Sequence, residues 1–388
     1  MPSEILGWDV GGANIKLVRL VSDRRGGQDG PSLQVVERAF PIWRDPARLP
    51  TVLAAMATDV APASPMALTM TAELADCFAT KRDGVEAVIS AAEQAFPTAR
   101  LWVYGVDGRF RSPSEARKEP HLVAAANWMA TATLVARENR DALLLDVGST
   151  TTDIIPIVAG SVAAVGRTDP ERLRSGELVY SGCLRTPVCA IVRSLQLDGT
   201  RCRVAAEHFA ISADVYRWLE RIDDDDYTCD TPDGRGRSRS EAGARLARMV
   251  CADSETLSEV DVTAIANHVA QTQTRQIAHG VRQVMRRLNP SPRVAVVAGS
   301  GAFVARATAE LLDLVACEPS SLARANAWRV APAAAVAYLL AEQFFEAVTA
   351  DRPVPPKQSL RGGGPVPPKQ SFRGGGPVPP KQSLRGGG

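Results

Sequence analysis

Two short segments of the chain carry similar residue types in the same order. Ala142–Leu145 is an apolar run that leads into Asp146-Val-Gly-Ser-Thr-Thr-Thr-Asp153, and Ile5–Trp8 leads into Asp9-Val-Gly-Gly-Ala-Asn-Ile-Lys16. In each segment an aspartate at the end of a strand-like run is followed by glycine and small polar residues. This pattern predicts a strand that ends in a phosphate-binding turn. Two such turns can face each other across one cleft.

The chemistry that these turns favour is the binding of phosphate groups. Glycine lets the main chain come close to an anion, and the N–H groups that follow can donate to its oxygens. Asp9 and Asp146 suit Mg²⁺, usually through water, because this ion prefers few carboxylates. A third segment, Val294–Phe303, predicts a strand, a glycine turn and a helix. The predicted phosphate-binding residues are Gly11, Gly12, Asn14, Lys16, Gly148, Ser149, Thr150, Thr151, Gly299, Ser300 and Gly301.

Composition and charge argue against several other classes of protein. The 388 residues include four histidines without an HExxH pattern and seven cysteines without a CxxC pair, which disfavours a histidine-bound metal hydrolase, a zinc knuckle and a disulfide framework. The formal net charge is +2, but the last 36 residues contain six basic residues and no acidic one, so residues 1–352 carry a net charge of −4. No nucleic-acid partner is therefore expected. The start lacks signal-peptide features, and no run approaches the roughly 20 apolar residues of a membrane span. We therefore expect a cytoplasmic protein without a membrane partner.

Strands and helices alternate along residues 1–350, which is typical of an α/β protein. The paired turns predict a duplicated, two-lobed fold, with residues 1–140 in the first lobe and 141–350 in the second, including an inserted subdomain at about 167–240. Pro120–Glu138 and Asp261–Leu288 are among the predicted helices. Residues 351–388 contain a threefold repeat of PVPPKQSxRGGG, which predicts a disordered tail and leaves open a contact between this tail and another protein.

Taken together, the three segments resemble the phosphate-1, phosphate-2 and adenosine motifs of the superfamily that contains actin, hexokinase and the hydantoinase/oxoprolinase enzymes. The resemblance implies an actin/hexokinase-like, ribonuclease H-like α/β fold. Sugar kinases of this fold need a carboxylate base between the two phosphate motifs. The chain offers Glu73, Asp76, Asp83 and Asp107 in that interval, without a spacing that singles one out.

Further segments resemble a narrower family. Four segments are similar to the hydantoinase A/oxoprolinase-like protein of the tetrahydromethanopterin-linked one-carbon pathway: Leu68–Asp76, Leu143–Ile157, Arg167–Asp169 and Gly176–Pro187. This resemblance covers roughly residues 4–348. It implies a transferase of methanofuran biosynthesis, used in methylotrophy, that joins an aminomethyl-furanmethanol diphosphate to γ-glutamyltyramine, releases diphosphate and forms an aryl ether. Two alternatives stay open: an ATP-dependent kinase or hydantoinase/oxoprolinase-type hydrolase, and a nucleotide-sensing scaffold.

The implied chemistry needs a stabilised leaving group and one base. Mg²⁺ and backbone N–H groups would stabilise the diphosphate, and one side chain must deprotonate the phenol. Asp9, Asp146 and Asp153 are the candidates for this base and are not ranked further.

Other residues could contact the two substrates. Glu73 and Asp76 could pair with the ammonium group of the donor, or they could form a polar helix start capped by Thr71. The remaining candidates could bind the glutamyl carboxylates of the acceptor, or serve only ion pairing and packing within the subdomain. They are Arg167, Tyr180 and Arg185.

Overall fold

The computed structural model describes Pro2 and residues 4–21, 32–61 and 63–350, with the main chain alone for residues 346–350. The described strands are β1 (Glu4–Val10), β2 (Asn14–Val21), β3 (Ser32–Ala39), β4 (Met66–Met70), β5 (Leu101–Tyr104), β6 (Phe110–Arg111), β7 (Ala142–Val147), β8 (Thr152–Val158), β9 (Ser161–Val162), β10 (Leu178–Val179), β11 (Ser194–Leu197), β12 (Thr200–Arg203), β13 (Val294–Ala298) and β14 (Val315–Cys317). The described α-helices are α1 (Leu49–Met56), α2 (Lys81–Ala95), α3 (Pro113–Lys118), α4 (Pro120–Val123), α5 (Asn127–Glu138), α6 (Asp169–Ser175), α7 (Val188–Ile191), α8 (Ser212–Trp218), α9 (Arg239–Arg248), α10 (Glu259–Met285), α11 (Ala302–Leu311) and α12 (Ala331–Ala350). Short 3-10 helices span Pro46–Arg48, Ala72–Leu74, Ser320–Leu322 and Arg324–Val330.

The first sheet forms around β1, whose seven residues are all buried. A strand that is covered on both faces has a nearly continuous apolar sequence instead of an alternating one. β1 pairs antiparallel with β2 and parallel with β4, while β3 pairs antiparallel with β2 and β5 pairs parallel with β4. The order across the sheet is β3-β2-β1-β4-β5-β6.

The second sheet repeats this arrangement. β7 pairs antiparallel with β8 and parallel with β13, which pairs parallel with β14. β9 and β10 both pair antiparallel with β8 and together occupy the place that β3 has in the first sheet. Apart from β6, the same order of strands and the same directions therefore occur twice, so the duplicated α/β fold predicted from the sequence is confirmed.

Two helices are exchanged between the halves of the chain. α5 packs against β7, β8 and β9 of the second sheet, whereas α12 packs against β1, β2 and β4 of the first sheet, and the two helices contact each other. Gly7 permits this close approach, because a Cβ at that position would lie 2.0 Å from the carbonyl oxygen of Ala333. The predicted division near residue 140 thus separates the strands of the two sheets but not the helices that cover them.

One predicted helix differs from the structure. Pro120–Glu138 is divided into α4 and α5, because Ala125 adopts a left-handed conformation with a φ of +48°. Alanine favours a helix, and a left-handed alanine costs about 1–2 kcal/mol, so tertiary contacts must stabilise this break. Ala125 lines the cavity described below, where its N–H group approaches the Glu73 carboxylate.

The predicted disordered tail, residues 351–388, lies outside the described residues. Within the part of the chain that the structure describes, no helix combines the length and apolar character needed to cross a membrane.

Candidate active site

Asp9 and Asp146 occupy equivalent places near the ends of the first strands of the two sheets. Asp9 lies opposite Lys16 on β2, and Asp146 lies opposite Asp153 on β8. Directly opposed residues in an antiparallel pair have Cβ atoms about 4.5–5.5 Å apart. The spacing of seven positions that the two sequence segments share therefore places a second charged residue beside each aspartate.

The two turns are closed by the same type of hydrogen bond. The Gly11 N–H donates to the Asn14 carbonyl oxygen at 3.0 Å, and the Gly148 N–H donates to the Thr151 carbonyl oxygen at 2.8 Å. Because these first N–H groups are used within the turns, the groups that follow are the ones available to a ligand. Among the described residues, no acceptor is found for the N–H groups of Gly12, Ala13, Ser149 and Thr150.

Both turns line one cavity of about 550 Å³. The predicted site residues that line it are Asp9, Gly11, Gly12, Asn14, Lys16, Glu73, Asp76, Gly148, Ser149, Thr150, Thr151, Asp153, Tyr180 and Arg185. The structure thus brings together the two predicted phosphate-binding turns and most of the predicted substrate contacts. A larger cavity of about 740 Å³ lies between α8, α10 and α11, but it contains neither turn.

Two predicted site residues lie close to this cavity without lining it. Asp146 is buried beside Gly299, where an added Cβ would lie 2.4 Å from the Asp146 Oδ1 atom. The Arg167 guanidinium donates to the Val106 carbonyl oxygen at 2.9 Å. Arg167 therefore makes a contact between the two halves of the chain. This contact agrees with the packing role that the sequence left open beside substrate binding.

The glycine turn at residues 299–301 uses two of its N–H groups within the protein. The N–H groups of Gly299 and Gly301 donate to the carbonyl oxygens of Trp328 and Val147, both at 2.8 Å, so they are not available to a phosphate. Glycine is required there for packing, since a Cβ at Gly301 would lie 2.6 Å from a methyl carbon of Val147. Ser300 lines a separate cavity of about 60 Å³, which shares Asn14, Lys16 and Ser149 with the main cavity.

The central aspartates are ionisable groups in a buried, acidic environment. Burial raises the pKa of Asp9 to about 6 and the pKa of Asp146 to about 7, and the neighbouring Asp153 contributes to both increases. Burial alone would lower the pKa of Lys16, but Glu37, Asp9 and Asp146 raise it above its ordinary value. Lys16 therefore stays protonated, and it offsets only part of the negative charge around it.

These residues fit a hydrated Mg²⁺ ion. The Oδ1 atom of Asp9 is buried and has no hydrogen-bond partner among the described residues. No group of three or more His, Cys, Asp or Glu side chains in this part of the chain is arranged to hold a metal ion, so an ion bound entirely by protein ligands does not fit. Mg²⁺ commonly keeps several waters and uses one or two carboxylates. Asp9 and Asp146 can supply these carboxylates.

Arg172 is a site residue that the sequence analysis missed. Its buried guanidinium forms an ion pair with Asp153 and lies 4.4 Å from the centre of the Trp128 ring. Burial raises the pKa of Asp153, and the Arg172 charge opposes this increase. No local spacing marks Arg172, because its partners come from other elements. Its position between the family-like segments Arg167–Asp169 and Gly176–Pro187 is the only sequence feature that could have indicated it.

A second missed residue, Trp43, lies near the predicted acceptor contacts. The Arg185 guanidinium lies 4.8 Å from the centre of the Trp43 ring and forms no ion pair with a described residue. Tyr180 lines the same cavity and is 60% exposed. This part of the cavity therefore combines aromatic surface with a cation that a ligand can use.

Glu73 and Asp76 also reach the cavity, in different environments. Asp76 is exposed, whereas Glu73 is 1% exposed and neither of its carboxylate oxygens has a hydrogen-bond partner among the described residues. Thr71 precedes the 3-10 helix Ala72–Leu74, but its side chain forms no capping hydrogen bond. The alternative of a polar helix start capped by Thr71 is therefore not supported.

Comparison with known proteins agrees with this geometry. A family model described as hydantoinase/oxoprolinase matches residues 66–343. The chain is 39% identical over 286 residues to the (4-{4-[2-(γ-L-glutamylamino)ethyl]phenoxymethyl}furan-2-yl)methanamine synthase of Methanocaldococcus jannaschii. This alignment covers 74% of this chain and 83% of that protein. It is also 42% identical over 120 residues to the synthase of the same name from Methanococcus vannielii. That alignment covers 31% of this chain and 54% of the relative.

Among solved structures, nucleotide-free acetone carboxylase aligns with this chain at a TM-score of 0.53 and 10% sequence identity. The alignment covers 87% of this chain and 70% of the acetone carboxylase chain, and it shows a similarity of fold alone. The family assignment depends instead on the extent of the family match and on the identity to the M. jannaschii synthase. The chain belongs to the hydantoinase/oxoprolinase family.

Proposed function

We propose that this chain is a transferase that makes the aryl ether for which its archaeal relatives are named. Its substrates would be an aminomethyl-furanmethanol diphosphate and the phenol γ-glutamyltyramine, and its second product would be diphosphate. The main support is the pair of equivalent glycine turns on one cavity, because two phosphate-binding turns suit a diphosphate. The product would support methanofuran-dependent, tetrahydromethanopterin-linked one-carbon metabolism.

The turns would bind the leaving diphosphate. The free N–H groups of Gly12, Ala13, Ser149 and Thr150 can donate to its oxygens, and Lys16 adds a positive charge. Three aspartates near these groups would otherwise repel an anion. We propose that Asp9 and Asp146 hold Mg²⁺, which would supply the additional positive charge that the diphosphate needs as its bond to carbon breaks.

The aromatic part of the cavity would bind the acceptor. Trp43 and Tyr180 offer ring surfaces to the phenol, and Arg185 can pair with a glutamyl carboxylate. A donor methylene held between this surface and the glycine turns would meet the phenol oxygen on one side and the leaving diphosphate on the other. The furan ring can delocalise the positive charge that develops on this carbon.

The test is turnover without ATP. The protein should form the ether and release one diphosphate per ether when it is incubated with the furan diphosphate, γ-glutamyltyramine and Mg²⁺, as measured by mass spectrometry and a diphosphate assay. Chelation of Mg²⁺ should abolish the reaction, and Mg²⁺ should restore it. If ether formation requires ATP and yields ADP, the transferase assignment is wrong.

We also propose a cytoplasmic location. All seven cysteines are free thiols, as expected for a protein in a reducing compartment.

A further inference from the structure

We propose that Glu73 is the general base that accepts the proton of the phenol. This inference rests on the proposed function, and it assigns the base to a residue outside the three aspartates that the sequence suggested. It follows from where the structure places Glu73, from the absence of a partner for its carboxylate, and from the partners that the other carboxylates have.

Glu73 lies beside the first phosphate-binding turn. The 3-10 helix Ala72–Leu74 directly follows β4, which pairs with β1 in the sheet. Between them, the Thr71 N–H donates to the Val10 carbonyl oxygen at 3.0 Å, and the Thr71 hydroxyl lies 3.5 Å from the position that a Cβ of Gly11 would take. Glu73 is two residues further along the chain and lines the same cavity as the turn.

The main chain around Glu73 is held firmly. A Cβ on Gly84 would lie 2.5 Å from the Cα atom of Glu73, so α2 packs directly against the backbone of the 3-10 helix. Such packing holds in place the backbone that carries the Glu73 side chain. A base needs this kind of support, because small displacements cost much of its effect.

The Glu73 carboxylate is buried and has no hydrogen-bond or ion-pair partner among the described residues. The N–H groups of Glu73 itself and of Ala125 approach it and lower its pKa, but neither forms a hydrogen bond with it. Among charged side chains, Lys81 and Asp169 influence it most, and these two form an ion pair with each other at 3.0 Å. A carboxylate that is buried without a partner is costly, so a functional reason for it is expected.

The other three carboxylates that the sequence offered as a base between the phosphate motifs are exposed or already engaged. Asp76 is exposed, Asp83 belongs to the capping box of α2 with Thr80, and Asp107 forms an ion pair with Arg111 at 2.7 Å. The structure therefore singles out Glu73 where the sequence spacing could not.

The three central aspartates also have other roles. Asp153 forms an ion pair with Arg172, which occupies one of its oxygens. Asp9 and Asp146 are the residues assigned above to Mg²⁺. Glu73 is thus the one buried carboxylate lining the cavity, within the described residues, that has neither an ion-pair partner nor a proposed metal.

The step can be written with all atoms and electrons in place. The phenol O–H bond breaks and its proton moves to Glu73, while an oxygen electron pair forms the new bond to the furan-bearing methylene. The bond from this methylene to diphosphate breaks, and its electron pair leaves with the diphosphate. Nothing is oxidised or reduced, and Glu73 returns its proton to solvent after product release. Burial raises the pKa of Glu73 to about 7, which suits a base that works near neutral pH.

The experiment compares Glu73→Gln with wild type on acceptors of different acidity. With γ-glutamyltyramine, we expect Glu73→Gln to lower kcat about 10²- to 10⁴-fold, the usual effect of a general base. With ring-fluorinated γ-glutamyltyramines, which ionise at lower pH, the deficit should shrink, because a phenolate needs no base. Glu73→Asp keeps a carboxylate but shortens its reach, so it should give an intermediate loss.

Two controls show that the variants keep an intact site. Inorganic diphosphate with Mg²⁺ should inhibit wild type and Glu73→Gln at similar concentrations, since the glycine turns are unchanged. Glu93→Gln removes an exposed carboxylate on α2 that pairs with Arg117, and it should retain wild-type kcat.

Two results would overturn the proposal. One is an equal loss of kcat with every acceptor. The other is an unchanged kcat with a higher KM for the amine-bearing donor only, which would make Glu73 the partner of the ammonium group. In both cases wild type still makes the ether without ATP, whereas failure of the proposed function would leave wild type unable to form the ether in the absence of ATP.

Discussion

Replacing Glu73 with glutamine should stabilise the folded protein at neutral and alkaline pH, although it removes the proposed base. Burial raises the pKa of this carboxyl from its ordinary 4.5 to about 7, with smaller opposing effects of nearby N–H groups and Lys81. The unfolded chain has no such environment and ionises at the ordinary pKa. Ionised Glu73 therefore favours the unfolded chain.

The size and sign of the effect follow from these two pKa values. Below pH 4.5 the carboxyl is protonated in both states, so it has no effect on stability. As pH rises from 4.5 to about 7, the unfolded chain releases its proton first, and the free energy of unfolding falls. Because one pKa unit corresponds to about 1.4 kcal/mol, the loss above pH 7 is about 3 kcal/mol. Glutamine cannot ionise, so the variant should not show this loss.

Urea unfolding at pH 5 and at pH 8, followed by tryptophan fluorescence, measures the effect. We expect the advantage of Glu73→Gln to be under about 1 kcal/mol at pH 5 and about 3 kcal/mol at pH 8. Any cost of placing an amide in this site is common to both pH values and cancels in the comparison. Glu93→Gln, which removes one partner of a surface ion pair, should change stability by less than about 1 kcal/mol at either pH. A difference between Glu73→Gln and wild type that does not vary with pH would refute the reasoning.

Four further substitutions test other parts of the structure. Asp146→Asn should raise the Mg²⁺ concentration needed for half-maximal activity without unfolding the protein; unchanged activity at limiting Mg²⁺ would remove Asp146 from the metal site. Arg172→Met leaves the buried Asp153 without its ion-pair partner and should lower the free energy of unfolding by about 3–5 kcal/mol, as measured in urea; a loss under about 1 kcal/mol would contradict this. Arg185→Ala should raise KM for γ-glutamyltyramine by about tenfold and leave KM for the donor unchanged, because it removes one charged contact worth about 1.4 kcal/mol. An equal rise in KM for both substrates would argue against an acceptor contact. Gly7→Ala should lower the free energy of unfolding by about 1–3 kcal/mol or more, because the new Cβ would meet the backbone of α12. Wild-type stability in a thermal melt would show that this contact is looser than the structure indicates.

Much of the fold and the strand placement of the central charged residues could be predicted because the relevant information is local. A buried strand, a glycine turn and a charged residue seven positions after the aspartate lie within one stretch of chain, so their relative placement follows from strand geometry. Asp9 opposite Lys16 and Asp146 opposite Asp153 follow from this spacing. The repetition of the pattern was also enough to predict a duplicated fold.

Predictions failed or stayed open where the answer depends on contacts between distant segments. Ala125 interrupts a helix that its own sequence favours, since it lies against the cavity beside Glu73. The N–H groups of Gly299 and Gly301 are used by Trp328 and Val147. Such contacts leave no periodic pattern in the sequence.

The sequence by itself determined the two glycine turns, the strands that position them and the duplicated α/β fold, because each of these depends on residues that are neighbours along the chain. Only the tertiary structure decided which carboxylates are free. Asp83 caps a helix, Asp107 and Asp153 have arginine partners, and Glu73 is buried without a partner in the part of the chain that the structure describes. The physical reason is that the pKa and availability of a carboxylate depend on burial and on charges brought close by folding, and these are properties of the packed protein.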